Sequence, residues 1–90
     1  MRPVSRKRAA LLRIYGKRRA DFLEQRPVCE FPRGCTDRAT TIQHLRGRRG
    51  ERLLDEQWWA ASCLNHNLWA EDHTGEALAM GWLVRIEGAA

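Results

Sequence analysis

The chain has 90 residues, of which 30% are charged, with a net charge of +5 and four tryptophans; this fits one globular domain and argues against a disordered chain. No apolar stretch approaches the roughly 20 residues of a membrane span, and the basic start lacks the apolar region of a secretory signal. Three cysteines cannot all pair within one chain, so we expect an intracellular, cytoplasmic protein and not a secreted disulfide framework.

The charge is distributed unevenly along the chain. Residues 1–26 hold nine basic and two acidic residues, whereas residues 53–90 hold one basic residue and six acidic ones. A basic first half favours a phosphate-bearing partner such as a nucleic acid, although a merely solvated surface has the same composition. The carboxylates toward the end are suited to holding a divalent cation beside that surface. The cations that we expect to contact phosphates are Arg6, Arg8, Arg13, Lys17, Arg18, Arg46, Arg48 and Arg49.

The first predicted element is a basic amphipathic helix over residues 5–26. Ser5 is suited to cap its start, and Pro27 ends it because the residue before a proline disfavours helical backbone. Its apolar residues recur mostly at spacings of three, four, seven and eight, which indicates one buried face. They are Leu11, Leu12, Ile14, Tyr15, Phe22 and Leu23. We therefore divide the chain into a basic N-terminal helix, 1–26, packed on the core of a domain formed by residues 27–90.

The remaining elements are predicted to be short. Residues 27–52 are rich in proline and glycine, and within them the β-branched run 39–45 predicts one strand. Residues 53–61 read as a second helix with Asp55 as its N-cap, and another helix begins near Asn65. A last helix is predicted from Thr74, as its cap, to residue 79, and Gly81 then ends it.

Three cysteines and one histidine have the spacing of a metal site. Cys29 and Cys35 are separated by five residues on a turn, and Cys63 and His66 form a Cys-x-x-His pair at the start of a helix. Two close pairs on turns can aim four ligands at one point, and thiolate with imidazole suits a closed, structural Zn²⁺ site. The alternative is that the cysteines are buried as small apolar residues.

A second group of residues has the chemistry of phosphodiester hydrolysis. His44 follows the predicted strand, and Asn67 and Glu71 are four residues apart on one face of the next helix. A histidine can take a proton from water, while oxygen ligands can hold Mg²⁺ or Mn²⁺ against the phosphate. The alternative is a histidine beside ordinary solvated side chains.

Taken in order, these landmarks resemble the small phage-type HNH endonucleases with a zinc-binding ββα-metal core. The resemblance runs from about Tyr15 to Arg85 and rests on the order of its landmarks. They are Cys-x5-Cys, Ala-Thr-Thr-Ile-Gln-His, Gly-Arg-Arg-Gly, Leu-Leu-Asp-x3-Trp, Cys-x-x-His-Asn-x-Trp and Gly-Trp-Leu. It implies an α+β fold, in which a zinc-stapled ββα-metal domain with an antiparallel hairpin and a following helix is preceded by the basic helix.

The resemblance also implies roles for individual residues. His44 matches the general base, whereas Gln43 occupies the position of a metal ligand. Asn67 and Glu71 stand where the family usually has histidines, and both would contribute to a catalytic Mg²⁺ or Mn²⁺ site. His66 replaces the usual cysteine and completes a Cys₃His zinc site.

Two functions follow from this comparison. The first is a divalent-metal-dependent DNA endonuclease or nickase, with DNA expected as the substrate before RNA. The second is a catalytically silent HNH-like zinc module that binds nucleic acid or a protein partner, for instance a phage-encoded regulator of a nucleic-acid enzyme. The altered ligands favour the second function, and His44 with the basic surface suits both.

Overall fold

A computed structural model describes residues 5–85, which form a small α+β fold. Within these residues there are three α-helices and one antiparallel sheet of two strands. They are α1 (Arg6–Gln25), β1 (Thr41–His44), β2 (Trp59–Ser62), α2 (Leu64–Asp72) and α3 (Thr74–Met80). Across the same described range, none of the helices combines the length and the apolar character needed to span a bilayer.

Helix α1 begins and ends as its sequence predicts. The Ser5 hydroxyl accepts a hydrogen bond from the backbone N–H of Arg8 at 3.1 Å, which satisfies one of the free donors of the first turn. The helix stops at Gln25, two residues before Pro27. Its predicted apolar side chains pack on the sheet and on the segment before β2, in one cluster of buried and half-buried residues, except for Ile14, which is 44% exposed. This cluster contains Tyr15, Leu11, Leu12, Phe22, Leu23, Ile42, Leu53, Leu54 and Trp59.

The two strands place successive side chains of β1 on opposite faces. The register runs from Thr41 opposite Ser62 to His44 opposite Trp59. Because side chains alternate along a strand, Ile42 and His44 face α1, whereas the residue between them faces α2. The helices on both faces leave every residue of β2 buried.

The predicted helix over 53–61 is wrong. The structure has 3₁₀ turns at Gly50–Leu54 and Glu56–Trp58, and β2 follows at once. Pairing with β1 outweighs the helix-forming composition of this segment. As a residue of β2, Trp59 is 4% exposed and lies in the core.

Both predicted caps in the second half are also wrong. The Asp55 side chain makes no capping bond, and Thr74 is the first residue of α3, with its hydroxyl donating to the carbonyls of Ala70 and Glu71 at 3.4 Å. The two short helices themselves are confirmed. Gly81 ends α3 as predicted, with a φ of 81° that favours glycine.

A second cluster of buried residues joins α2, α3 and the cysteine-bearing loop. Its centre is Trp82, which is 1% exposed and donates its indole N–H to the carbonyl of His66 at 3.1 Å. The other members are Cys29, Phe31, Ala60, Cys63, Ala70 and Ala77. Trp82, in the segment after Gly81, therefore packs against the region where the cysteines meet.

Candidate functional site

The first cysteine pair lies on a closed loop between α1 and β1. The loop is pinched where Cys29 N–H donates to the Asp37 carbonyl at 2.9 Å and Ala39 N–H donates to the Pro27 carbonyl at 2.8 Å. Gly34, with a φ of 93°, makes the turn just before Cys35. This loop brings the two thiols together despite the five residues between them.

The second pair is positioned by the start of α2. Cys63 is the N-cap residue, and its Sγ accepts the backbone N–H of His66 at 3.4 Å. The His66 ring lies flat on the ring of Phe31, with centroids 3.8 Å apart and planes 4° apart. This stacking fixes the imidazole with Nδ1 turned toward the thiols.

The four predicted ligands converge. One ligand atom from each of Cys29, Cys35, Cys63 and His66 lies within 4.8 Å of all the others. His66 Nδ1 is 3.2 Å from the Sγ of Cys63 and 3.7 Å from that of Cys29. A tetrahedral Zn²⁺ with bonds of about 2.0–2.3 Å separates its ligands by roughly 3.5–3.8 Å. The donor set and its spacing therefore fit zinc, and this Cys₃His cluster can bind it.

The pKa shifts of the Cys29 and Cys35 thiols fit a site that binds a cation. Burial by itself raises the pKa of the Cys29 thiol, but hydrogen bonds from the backbone N–H groups of Cys63 and Phe31 and from the neighbouring thiols lower that pKa overall. The pKa of Cys35 is raised to about 11; a backbone hydrogen bond from Asp37 lowers it, but burial and the neighbouring Cys29 outweigh that effect. The negative charge of one thiolate thus disfavours ionisation of the neighbouring thiol, and a bound divalent metal removes this repulsion.

An open cleft of about 240 Å³ lies beside the hairpin, away from the cysteine cluster. It runs between β1, the loop after it and α2. The residues in its walls that matter for chemistry are Gln43, His44, Arg48, Asn67, Glu71 and Thr74. The structure therefore brings the three predicted catalytic-site residues to one cleft.

His44 forms a buried wall of this cleft. It is 7% exposed, its ring lies 5.4 Å from that of Tyr15 and 5.8 Å from that of Trp59, and its Nε2 has no hydrogen-bond partner among residues 5–85. Burial, assisted by the positive charge of Arg48, lowers the pKa of the imidazole to about 4. His44 is therefore neutral near pH 7, and the low pKa makes it a weaker base than a free imidazole.

Gln43 and Asn67 are joined across the cleft floor. The Asn67 Nδ2 donates to Gln43 Oε1 at 2.9 Å and to the Ile42 carbonyl at 3.2 Å, and Gln43 Nε2 donates to the Trp82 carbonyl at 2.8 Å. Both N–H groups of the Asn67 amide are thus engaged, which leaves its Oδ1 for a ligand. Glu71 is exposed one turn further along α2 and is the only carboxylate among the cleft-lining residues of the described chain.

The basic residues do not form one surface. Arg8 Nη1 donates to the Arg48 carbonyl at 3.4 Å, which places these two residues together near the cleft. Arg18 pairs with Glu56 at 3.7 Å. Arg46 stacks over Trp58 at 4.9 Å, and Arg49 is exposed in the same loop. At 3.6 residues per turn, three further exposed cations lie on the side of α1 opposite Tyr15; they are Arg6, Arg13 and Lys17.

Sequence reasoning missed three residues that support these sites. Phe31 holds the His66 ring, Tyr15 carries Arg48 on its face, and Glu30 anchors the cysteine loop to β2 by accepting the Ala61 N–H at 2.7 Å. The helical periodicity identifies Tyr15 only as an apolar residue, and no sequence pattern singles out Glu30. The aromatic between Cys29 and Cys35 was the one available hint, because aromatic rings often pack beside ligand histidines.

Comparison of the chain with protein families, curated proteins and solved structures finds no match.

Proposed function

We propose that this chain is an HNH-like nucleic-acid-binding protein that hydrolyses a phosphodiester bond, with DNA expected as its substrate. Two features support the proposal besides the resemblance of its motifs. An antiparallel hairpin is followed by a helix that carries ligands of the Cys₃His cluster, and a separate cleft beside the hairpin holds a histidine, an arginine and oxygen ligands. A cytoplasmic location remains a prediction.

The observation that carries the proposal is the state of His44. His44 lines the cleft together with Arg48, Asn67 and Glu71, and its imidazole is neutral near pH 7. In the proposed reaction His44 accepts a proton from water as the water oxygen attacks phosphorus. The phosphorus–oxygen bond on the opposite side then breaks, and the leaving oxygen takes a proton from solvent. Arg48 in the same cleft offsets the charge that builds up on the phosphate.

The oxygen ligands in the cleft fit a hard divalent cation. Gln43 Oε1, Asn67 Oδ1 and the Glu71 carboxylate are the donors that would hold Mg²⁺ or Mn²⁺. These ions accept one or two carboxylates with waters and substrate phosphate completing their coordination, which matches a site with one carboxylate. When bound, the cation would stabilise negative charge on the phosphate. Zinc at the four-residue cluster would hold the loop, β2 and α2 together.

A second candidate function is a silent module that binds nucleic acid or a protein partner without cleavage. Two observations favour it. The Gln43 amide is committed to Asn67 and Trp82, and the Nε2 atom of His44 is shielded from solvent. In this case the cationic residues would bind the partner, and the cleft would have no chemical role.

A nicking assay on supercoiled plasmid separates the two candidates. The zinc-loaded protein is assayed with and without Mn²⁺, beside His44→Ala and the matched control His73→Ala. His73 is exposed, stacks on Trp69 and lies outside the cleft. We expect Mn²⁺-dependent nicking by the wild type and His73→Ala, with His44→Ala reduced about a hundredfold or more. Absence of nicking by a folded, zinc-loaded wild type that still binds DNA would contradict hydrolysis and support the silent module.

A further inference from the structure

Arg48 is held in place before any ligand arrives. Its guanidinium lies over the Tyr15 ring, 5.4 Å from the ring centroid. That ring is itself fixed, because Tyr15 is 9% exposed and meets Trp59 edge-on at 5.6 Å with planes 87° apart. An arginine stacked on an aromatic face keeps its N–H edges free for an anion and loses less conformational freedom on binding.

Arg8 is brought to the same place by α1. It precedes Tyr15 by two turns and lies on the same side of the helix, and its Nη1 donates to the Arg48 carbonyl at 3.4 Å. The contact ties the first turns of α1 to the loop after β1. The Arg8 guanidinium therefore lies against the backbone of Arg48, which lines the cleft.

Within the described residues 5–85, no carboxylate forms an ion pair with either arginine. The ion pairs among residues 5–85 are Arg18–Glu56, Arg26–Glu30 and Arg33–Glu76, none of which includes Arg8 or Arg48. Two neighbouring cations without a carboxylate favour the binding of an anion between them. Arginine matches phosphate oxygens with its planar fork, so a phosphodiester is the anion that suits this pair best.

We propose that Arg8 and Arg48 form a phosphate seat, which holds one nucleic-acid phosphate at the cleft edge beside His44, with Tyr15 as the residue that positions Arg48. The chain of contacts is short: the Tyr15 ring touches both the Arg48 guanidinium and, at 5.4 Å between centroids, the His44 ring. The identity of the anion as nucleic acid rests on the proposed function. The seat itself rests on these contacts and on the missing carboxylate.

The chain offers a matched control for charge. Arg8→Gln/Arg48→Gln removes two positive charges at the seat, and Arg6→Gln/Arg13→Gln removes two from the exposed side of α1 opposite Tyr15. Affinity for a fluorescent DNA duplex is measured by anisotropy at low and moderate salt. We expect the seat variant to lose about tenfold or more in affinity and the outer variant about threefold or less. Equal losses in the two variants, or no DNA binding by the wild type, would overturn the seat.

Variants of Tyr15 test its positioning role separately. Tyr15→Phe keeps the ring face, whereas Tyr15→Leu removes it; Arg48→Lys keeps the charge without the planar fork. We expect Tyr15→Phe to bind as the wild type does, and Arg48→Lys to bind several-fold more weakly. If Tyr15→Leu fails to fold by circular dichroism, the comparison of Tyr15→Phe with Arg48→Lys still decides. Wild-type affinity in Arg48→Lys, or weak binding in a folded Tyr15→Phe, would overturn this part of the proposal.

Failure of the seat is distinguishable from failure of the proposed hydrolysis. A wild type that binds DNA without nicking it, together with a clear contrast between the two double variants, would refute hydrolysis and support the seat. A wild type that nicks DNA, with both double variants binding equally, would support hydrolysis and refute the seat.

Discussion

The imidazole of His66 lies on the ring of Phe31 at 3.8 Å between centroids, and its Nδ1 faces the thiols of Cys63 and Cys29. Phe31 in turn meets Trp69 and Trp82 edge-on at 5.3 and 5.5 Å. The orientation of one ligand is therefore set by the aromatic core and not by the Cys-x-x-His spacing alone. Residues that orient a ligand are expected to affect metal affinity.

Phe31→Leu tests this relationship. Removing the stacked ring frees the imidazole, so we expect zinc affinity to fall about tenfold, measured by competition with a chromophoric chelator. Phe22→Leu is the control, because Phe22 packs on Trp59 in the other core cluster. It should lower stability and leave zinc affinity unchanged. An equal effect of both variants on zinc would show that Phe31 acts only through general stability.

Zinc itself should be required for the folded state. We expect one Zn²⁺ per chain, and removal by a chelator should lower the free energy of unfolding by about 3 kcal/mol or more, because metal binding is coupled to folding. His66→Ala should bind zinc poorly, while His73→Ala, which changes an exposed histidine, should keep full occupancy. Metal analysis and thermal unfolding measure both effects. Full zinc content in a folded His66→Ala would contradict the Cys₃His assignment.

The parts of the fold that local sequence determines were predictable. Ser5 and Pro27 mark the ends of α1, and the spacing of Cys63 and His66 places both at the start of α2, where the structure has them. The four residues of the Cys₃His cluster could be named because a small metal site requires close pairs on turns.

The parts that depend on distant contacts were not predictable from local sequence. Residues 53–61 have the composition of a helix, and only their pairing with β1 makes the last part a strand. The contact of Arg8 with Arg48 likewise depends on the packing of α1 against the loop after β1, which the local sequence does not show. Contacts between residues 15 to 40 positions apart decide both points.

The burial of His44 predicts a pH dependence of stability. The unfolded imidazole has a pKa of about 6.5 and the folded one about 4, so between these values the unfolded chain binds a proton that the folded chain does not. The free energy of unfolding should therefore fall as the pH is lowered from 6.5 toward 4.

Urea unfolding at pH 7 and pH 5 in excess zinc measures this effect. We expect the wild type to lose about 1–2 kcal/mol more than His44→Gln, after allowance for solvent screening. Loss of zinc at low pH affects both proteins and cancels in the difference. An equal loss in the two proteins would contradict a buried, neutral His44.

Gln43 is a neutral residue at a position where a carboxylate would attract a cation more strongly. Gln43→Asp would place a second carboxylate beside Asn67 and Glu71, so we expect Mn²⁺ to bind about tenfold more tightly and nicking to accelerate. The substitution also removes the hydrogen bond to the Trp82 carbonyl and places a charge at a position that is 3% exposed, so we expect it to lower stability by about 1–3 kcal/mol or more. The control is Gln57→Asp, an exposed glutamine outside the cleft. Unchanged Mn²⁺ affinity in Gln43→Asp, measured by calorimetry, would contradict a cation site at this position.

The central claim is that the cleft hydrolyses a phosphodiester with His44 as the base. Its most direct test is the single-turnover rate of DNA cleavage by His44→Gly, with and without added imidazole, beside the wild type. Imidazole in solution can replace a missing side-chain base where the vacated space admits it. We expect His44→Gly to cleave at least about a hundredfold more slowly than the wild type, and imidazole to restore part of the rate. Cleavage by His44→Gly at the wild-type rate would contradict the claim, as would a wild type that binds DNA and leaves it intact.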